Sequence, residues 1–514
     1  MVSRALASLR QGPPGMTTDT AAPIAIAPKL DLGTKLYYGI GSIAFGAKNA
    51  LLGLLLFYYN QLMGLPAAWV SAALSVSIVI DAIWDPTLGQ LSDRTRSRLG
   101  RRHPYMYAAA IPVCVAFWFL WHPPQTWGKV DLFLYMAVLV ILTRMLISLF
   151  ELPNTALVAE LAPNYDDRTV VMGFRYFFGT VIGGVVALVG LKVFLKPFVA
   201  NGHKELGQFN LAGYGPYATM VVIVMFVAIM VSTLGTHRHI PRLRRPPVRK
   251  LSVWATVKQM GRALMNRNFV ALASSGLIFG ITNGLSGGLN QYFTTYLWEL
   301  DTPVQANIGY FTLVATVLAV ILGPILSRRF GKKQTCITLF FIAIFASATP
   351  ISLKLLGLMP PNGTMALYVI LTVDRMVTAA FAIMGFIIVT SMIADIIEEI
   401  EVSSGQRSEG LLFSADTVLQ KIAGGIAIMA PGLLLTLVHF PAHARPRTLD
   451  PAIMHQLALI YLPVVVGLQL CSTSCLFFYR IDKTRHEQNL RTLADSAAMA
   501  ELADPDALLP AALP

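Results

Sequence analysis

The chain has 514 residues, of which 55% are hydrophobic and only 13% charged, against roughly 45–50% and 25% in soluble globular domains. That balance, with a mean hydropathy of +0.61, excludes a soluble enzyme or binding domain and requires a polytopic membrane protein. The formal net charge of +13 would suit a nucleic-acid partner if it formed a folded basic face, but it is confined to links between apolar segments and reads as membrane topology.

Apolar stretches of about 20 residues, enough to cross ~30 Å of hydrocarbon, predict twelve spans. They lie at 34–60, 67–93, 105–122, 130–156, 169–194, 216–236, 268–297, 304–327, 334–357, 364–395, 408–438 and 455–479. The expected fold is an all-α integral membrane protein of two pseudo-symmetric six-helix bundles. Its parts would be a tail (1–33), a first bundle (34–236), a basic linker (237–267), a second bundle (268–480) and a tail (481–514). The first thirty residues lack the basic, apolar, small-residue order of a cleavable signal, so none is expected to be removed.

The second span carries Asp81 and Asp85, four residues apart and therefore on one helical face. An uncompensated carboxylate at membrane depth costs at least ~2.5 kcal/mol, so the pair implies a cation or proton that offsets it. After this span comes Gly89-Gln-Leu-Ser-Asp-Arg, ending in Leu99-Gly100-Arg101-Arg102. A second copy, Gly323-Pro-Ile-Leu-Ser-Arg-Arg-Phe-Gly-Lys-Lys, follows span eight. Small residues with a cluster of bases predict a close helix crossing held by charge pairs. Asp93, Arg101, Arg102, Arg328 and Arg329 are the candidate gating residues, and the repeat argues for a duplicated half with a binding site between the copies. By the positive-inside rule these loops and the linker HRHIPRLRRPPVRKLSVWATVKQMGRALMNR are cytoplasmic, as are both termini.

Span four places Arg144, Ser148 and Glu151 on one face. Arg175 in span five could pair with Glu151, Asp374 and Arg375 in span ten with each other, and the run from Asp395 to Glu401 reads as a solvated helix end or a partner for the basic loops. In span eleven Lys421 shares a face with Thr417 and Ser414. Glycines in spans five and seven permit close helix packing. Cys114, Cys336, Cys471 and Cys475 suggest no external disulfide. No phosphate-binding loop, metal cluster or nucleophile elbow is present, so the expectation is no enzyme and no cofactor beyond a coupling ion.

Together DAIWDPTLGQLSDRTRSRLGRRHP and SADTVLQKIAGG resemble the glycoside-pentoside-hexuronide:cation symporters of the major facilitator superfamily, over roughly residues 34–480. The resemblance implies that Asp81 and Asp85, with the hydroxyl of Ser148, bind the coupling cation. It also implies that Glu151, Arg175, Lys421 and Thr417 contact the solute. Four positions depart from the family. Trp84 replaces an asparagine that would lend an oxygen to sodium, leaving sodium or a proton as the ion. Thr155 replaces an aromatic platform for a sugar ring. The family's Lys-Asp pair in span one falls on Phe45 and Gly46, with Lys48 and Asn49 out of register. The expected protein is a monomeric, cation-coupled secondary transporter of a small organic solute, a glycoside or other sugar among the candidates, in contact with membrane lipid in a bacterial inner membrane. A lysolipid carrier, a proton-coupled exporter and a sensor on a transporter scaffold are the rival expectations.

Overall fold

Hydrocarbon offers a backbone N–H no water to bond, so each crossing segment must satisfy itself as a helix. The computed structural model describes residues 30–240 and 266–481, apart from 163–164, 201 and 405–408, and a few positions between 485 and 495. Among the described residues, twelve helices are long and apolar enough to span a membrane. They are α1 (Leu32–Leu62), α2 (Ala67–Arg94), α3 (His103–Leu120), α4 (Lys129–Leu161), α5 (Val170–Phe194), α6 (Leu211–His237), α7 (Arg267–Leu297), α8 (Thr302–Phe330), α9 (Lys332–Leu355), α10 (Met365–Ser404), α11 (Glu409–Leu437) and α12 (Pro451–Phe478). Most of the expected tails and linker lies outside the described residues.

Side-chain caps start several helices: Asn266 accepts from the Phe269 N–H, Asp301 from Thr302 and Asp450 from Ala452. Two helices are irregular at matching places. Helix α1 breaks at Gly53 and ends in a π turn, Tyr58–Leu62, and α7 ends in a π turn, Phe293–Leu297. A two-stranded hairpin, β1 (Phe198–Ala200) and β2 (His203–Glu205), fills the link between α5 and α6. Helix α10 runs nine residues past its expected end, because the acidic run continues it as helix.

The duplication is visible in the packing. In the first half α1 packs on α5 and α6, α2 on α4, and α3 on α4 and α6; in the second α7 packs on α11 and α12, α8 on α10, and α9 on α10 and α12. Adding six to each label turns one set into the other. The halves meet along α2 with α11 and α5 with α8, a pair related by the same rule.

In the duplicated loops the indispensable glycines are not the ones at the helix crossings. A Cβ on Gly89 would meet open space and one on Gly323 only ordinary contact with Met384. Gly100 and Gly331 instead adopt φ of +75° and +83°, a left-handed backbone that lets each chain reverse into the next helix. The close crossing is elsewhere: a Cβ on Gly46 of α1 would lie 1.9 Å from the carbonyl oxygen of Gly179 in α5.

At the end opposite the basic loops one apolar core crosses both halves and includes Phe57, Tyr58, Trp121, Tyr292, Tyr296 and Phe440. Toward the basic loops it divides into a cluster around Phe269, Phe340 and Ile396 in the second half and a small one around Tyr38 and Leu157 in the first. Polar groups complete the seal. Tyr292 Oη donates to Asn60 Oδ1 at 2.8 Å, Tyr296 Oη to Gln61 Oε1 at 2.8 Å, and the Ala444 N–H to the same Gln61 oxygen at 2.9 Å. Gln208 donates to Thr295 at 3.1 Å, and Arg445 lies 4.2 Å from the centre of the Phe209 ring.

Candidate functional site

Asp81 and Asp85 lie in the middle of α2, whose register is fixed on both sides. Toward α4, the Trp84 indole N–H donates to the Met145 carbonyl at 3.0 Å. Toward α11, the Ser75 hydroxyl donates to the Gly425 carbonyl at 2.8 Å. One helical turn therefore directs both carboxylates into the space between α2, α4 and α11. Ser148 Oγ of α4 donates to Asp81 Oδ1 at 3.1 Å. Lys421 Nζ of α11 lies 2.5 Å from Asp85 Oδ2 and 3.5 Å from Asp81 Oδ2, and donates to the Asp81 carbonyl at 3.2 Å. The side chains of Asp81, Asp85 and Lys421 retain 17%, 18% and 22% exposure, so the cluster is only partly buried. The other oxygen of Asp85, Oδ1, is buried without a hydrogen-bond partner.

Beside this cluster Lys48 of α1, buried, sits 3.6 Å from Glu151 Oε1 of α4. Arg175 of α5 donates to Tyr38 Oη at 3.2 Å. The expected Arg175–Glu151 pair is thus replaced by Lys48–Glu151. Lys421, expected among the solute contacts, is here paired with the two aspartates. Thr417, one turn from Lys421, is exposed. Trp84 spends its only donor on α4 and offers the aspartates no oxygen.

Lys48, set aside as out of register, belongs to the site, and its signal was available: a lysine inside a span needs an acid. Gly46, where the family's acid was counted, is the backbone crossing with α5. Asp374 and Arg375 are not a closed pair, since Arg375 reaches across to Asn290 of α7 at 2.5 Å. That arginine lines a cavity of about 350 Å³ within the second half, among Asn283, Ser286, Gln469 and Thr473. The Asp81–Asp85 cluster does not border it.

Three of the candidate gating residues, Asp93, Arg101 and Arg102, join an ion cluster inside the first half. Asp93 lies 3.7 Å from Arg101 and 3.5 Å from Arg102, and Glu160 at the end of α4 accepts from Arg101 at 2.6 Å and also from Arg102. In the second half the corresponding base is Lys332, 2.6 Å from buried Asp395 of α10, while Arg328 and Arg329 are exposed. Farther along α10, Glu399 accepts from Asn268 at 2.7 Å and pairs with Arg485 at 2.8 Å. The acidic run is therefore bound within its own half, not simply solvated.

Residues 37–483 match the family model described as MFS/sugar transport protein. The chain belongs to this family of the major facilitator superfamily. Its members are membrane transporters, so this chain is a transporter and not an enzyme. It is 24% identical to the putative glycoside/cation symporter YagG of Escherichia coli (strain K12), over 93% of this chain and 98% of that one. It is 25% identical to the isoprimeverose transporter of Lactiplantibacillus pentosus, over 84% of each. It is also 22% identical to the sodium-dependent lysophosphatidylcholine symporter 1 of Xenopus tropicalis, over 90% of each. The fold is that of the E. coli xylose transporter XylE in its inward-open form, with a TM-score of 0.60, 13% identity, and coverage of 89% of this chain and 98% of that one.

Proposed function

We propose that the protein is a symporter of a small organic solute whose coupling cation, sodium or a proton, binds between Asp81 and Asp85. The observation that carries this reading is the ion pair from Lys421 in the second half to both aspartates in the first. A mobile ammonium on one half, held by the acids of the other, does in the ion-free carrier what the coupling ion does in the loaded one. Ion binding displaces Lys421, loosens the α2–α11 junction and frees the lysine for the solute. Each ligand then binds better once the other is bound, which is the thermodynamic content of coupling.

The two carboxylates and the Ser148 hydroxyl could serve either ion. A proton needs a single carboxylate, whereas sodium needs several oxygens. Glu151, Arg175 and Thr417 are proposed to line the solute path with Lys421. The basic loops face the cytoplasm by the positive-inside rule, so the apolar seal between the halves at the opposite end makes this the inward-facing state of an alternating-access cycle. The protein would act as a monomer in a plasma membrane, with exposed apolar side chains such as Phe311, Val314 and Ile321 of α8 toward lipid.

The test uses proteoliposomes with imposed sodium or proton gradients and a radiolabelled panel of glycosides, pentoses, sugar acids and lysolipid. A gradient of one ion should drive accumulation, and Asp81→Ala and Asp85→Ala should each abolish it. Full accumulation by both variants would falsify the assignment.

A further inference from the structure

Charge bookkeeping at the centre of the bundle carries one step beyond symport, and it rests on the reading that Asp81 and Asp85 receive the cation. Three acids, Asp81, Asp85 and Glu151, meet four bases, Lys48, Arg144, Arg175 and Lys421. The second half adds Asp374 and Arg375, which cancel. Lys48 is matched by Glu151 and Lys421 by the two aspartates. Arg175 bonds a neutral phenol. Arg144 Nε is buried and has no hydrogen-bond partner among the described residues. The empty site thus carries an excess of one positive charge, and a monovalent ion at the aspartates raises that excess to two. Uncompensated charge at this depth is costly, so the loaded carrier has one electrostatic demand left.

We propose that the transported solute is an organic anion and that Arg144 is the residue that selects it. Arg144 precedes Ser148 by one turn and Glu151 by two on α4, so it stands on the face that already touches Asp81 and Lys48. A guanidinium presents paired N–H groups that match the two oxygens of a carboxylate, sulfonate or phosphate. A neutral sugar would leave the excess charge untouched, whereas a monoanion lowers it to the value of the empty carrier. At the position where the family stacks a sugar ring, Thr155 is exposed and its hydroxyl is engaged with the Glu151 carbonyl at 2.7 Å. Recognition here is by charge, and the cation strengthens anion binding because it releases Lys421 and raises the local positive potential.

The experiment measures the melting temperature of the purified full chain with matched solutes that differ in a carboxylate: glucuronate against glucose, xylonate against xylose, glycerate against glycerol. Each pair is run with and without sodium at pH 5.5 and 7.5. The expected result is that a carboxylate stabilises where its neutral counterpart does not, more strongly with the coupling ion. Arg144→Gln should weaken that solute by about tenfold or more, the usual loss for one charge-assisted contact, and Arg144→Lys should recover part of it. A panel in which no carboxylate outperforms its neutral counterpart overturns the inference, as does an anion preference that survives in a folded Arg144→Gln protein. Ion-dependent stabilisation by a neutral sugar would sink the anion and leave symport standing. Ion dependence that persists in Asp81→Ala and Asp85→Ala would sink the symport reading itself.

Discussion

The two ends of this bundle are held by different chemistry. Away from the basic loops, the halves are joined to each other by tyrosines, amides and packed rings: Tyr292 with Asn60, Tyr296 with Gln61, Phe57 with Tyr292. At the basic-loop end the strong contacts include ion pairs inside each half: Arg101 and Arg102 with Glu160, Lys332 with Asp395. The difference follows from what must break in an alternating-access cycle. At the sealed end a contact between halves is made and lost on every turnover, so neutral hydrogen bonds worth about 1 kcal/mol each suit it. A contact within a half persists, so it can be a desolvated ion pair whose rupture is expensive.

That contrast can be broken most severely at Glu160. Glu160→Gln leaves Arg101 and Arg102 with only half-exposed Asp93, and should cost about 3 kcal/mol, read as a large fall in melting temperature. Asp93→Asn should cost less than about 1 kcal/mol because its partner geometry is long and solvated. Equal effects would mean that the clamp is not the buried pair. Gly46→Ala tests the rigidity of the first half. Its new methyl group meets the Gly179 carbonyl oxygen at 1.9 Å, and the expected overpacking penalty is about 1–3 kcal/mol by denaturant or thermal unfolding.

Tyr296→Phe acts on the inter-half side. It removes the hydroxyl that donates to Gln61 at 2.8 Å and to the Ala444 carbonyl at 3.0 Å. About 1 kcal/mol, or roughly a fivefold change in populations, should shift toward opening at the sealed end. Maleimide labelling of Thr294→Cys, in a background without the native cysteines, should speed up accordingly, with global stability little altered. The smallest effect is expected at Asp31, before α1, where the Thr34 hydroxyl and then Arg238 hold the carboxyl down at about 2. A depressed carboxylate stabilises the fold above its ordinary titration range, and the contribution is lost as pH falls toward about 2. The melting difference between wild type and Asp31→Asn should therefore be small and constant near neutrality and vanish in acid.

Hydropathy located the spans because hydrocarbon leaves the chain no other structure, and four-residue spacing put Asp81 and Asp85 on one face for the same local reason. What local spacing does not encode is partnership across the fold. Lys421 lies 340 residues from Asp81, and its face on span eleven does not say which acid would receive it. Lys48 was obscured by a register counted back through Gly53 and the Tyr58–Leu62 π turn, an irregular stretch where helical counting does not hold. Glu160 fell beyond the apolar stretch of span four, in a continuation of helix that hydropathy does not report. Arg328 and Arg329 were the conspicuous bases of the second loop, yet they are exposed, and it is Lys332, at the start of the next helix, that reaches Asp395.

Under the proposed mechanism, the reach of Lys421 to both aspartates makes the lysine a tethered competitor for the coupling ion. A group tied to its site acts at an effective concentration of about millimolar or more, fixed by the protein rather than by the bath. The dissolved ion must outbid that internal rival before the junction lets go, so the apparent ion affinity belongs to the lysine as much as to the carboxylates. In ion-poor surroundings the carrier is stoppered by its own side chain, which guards the gradient against uncoupled leakage.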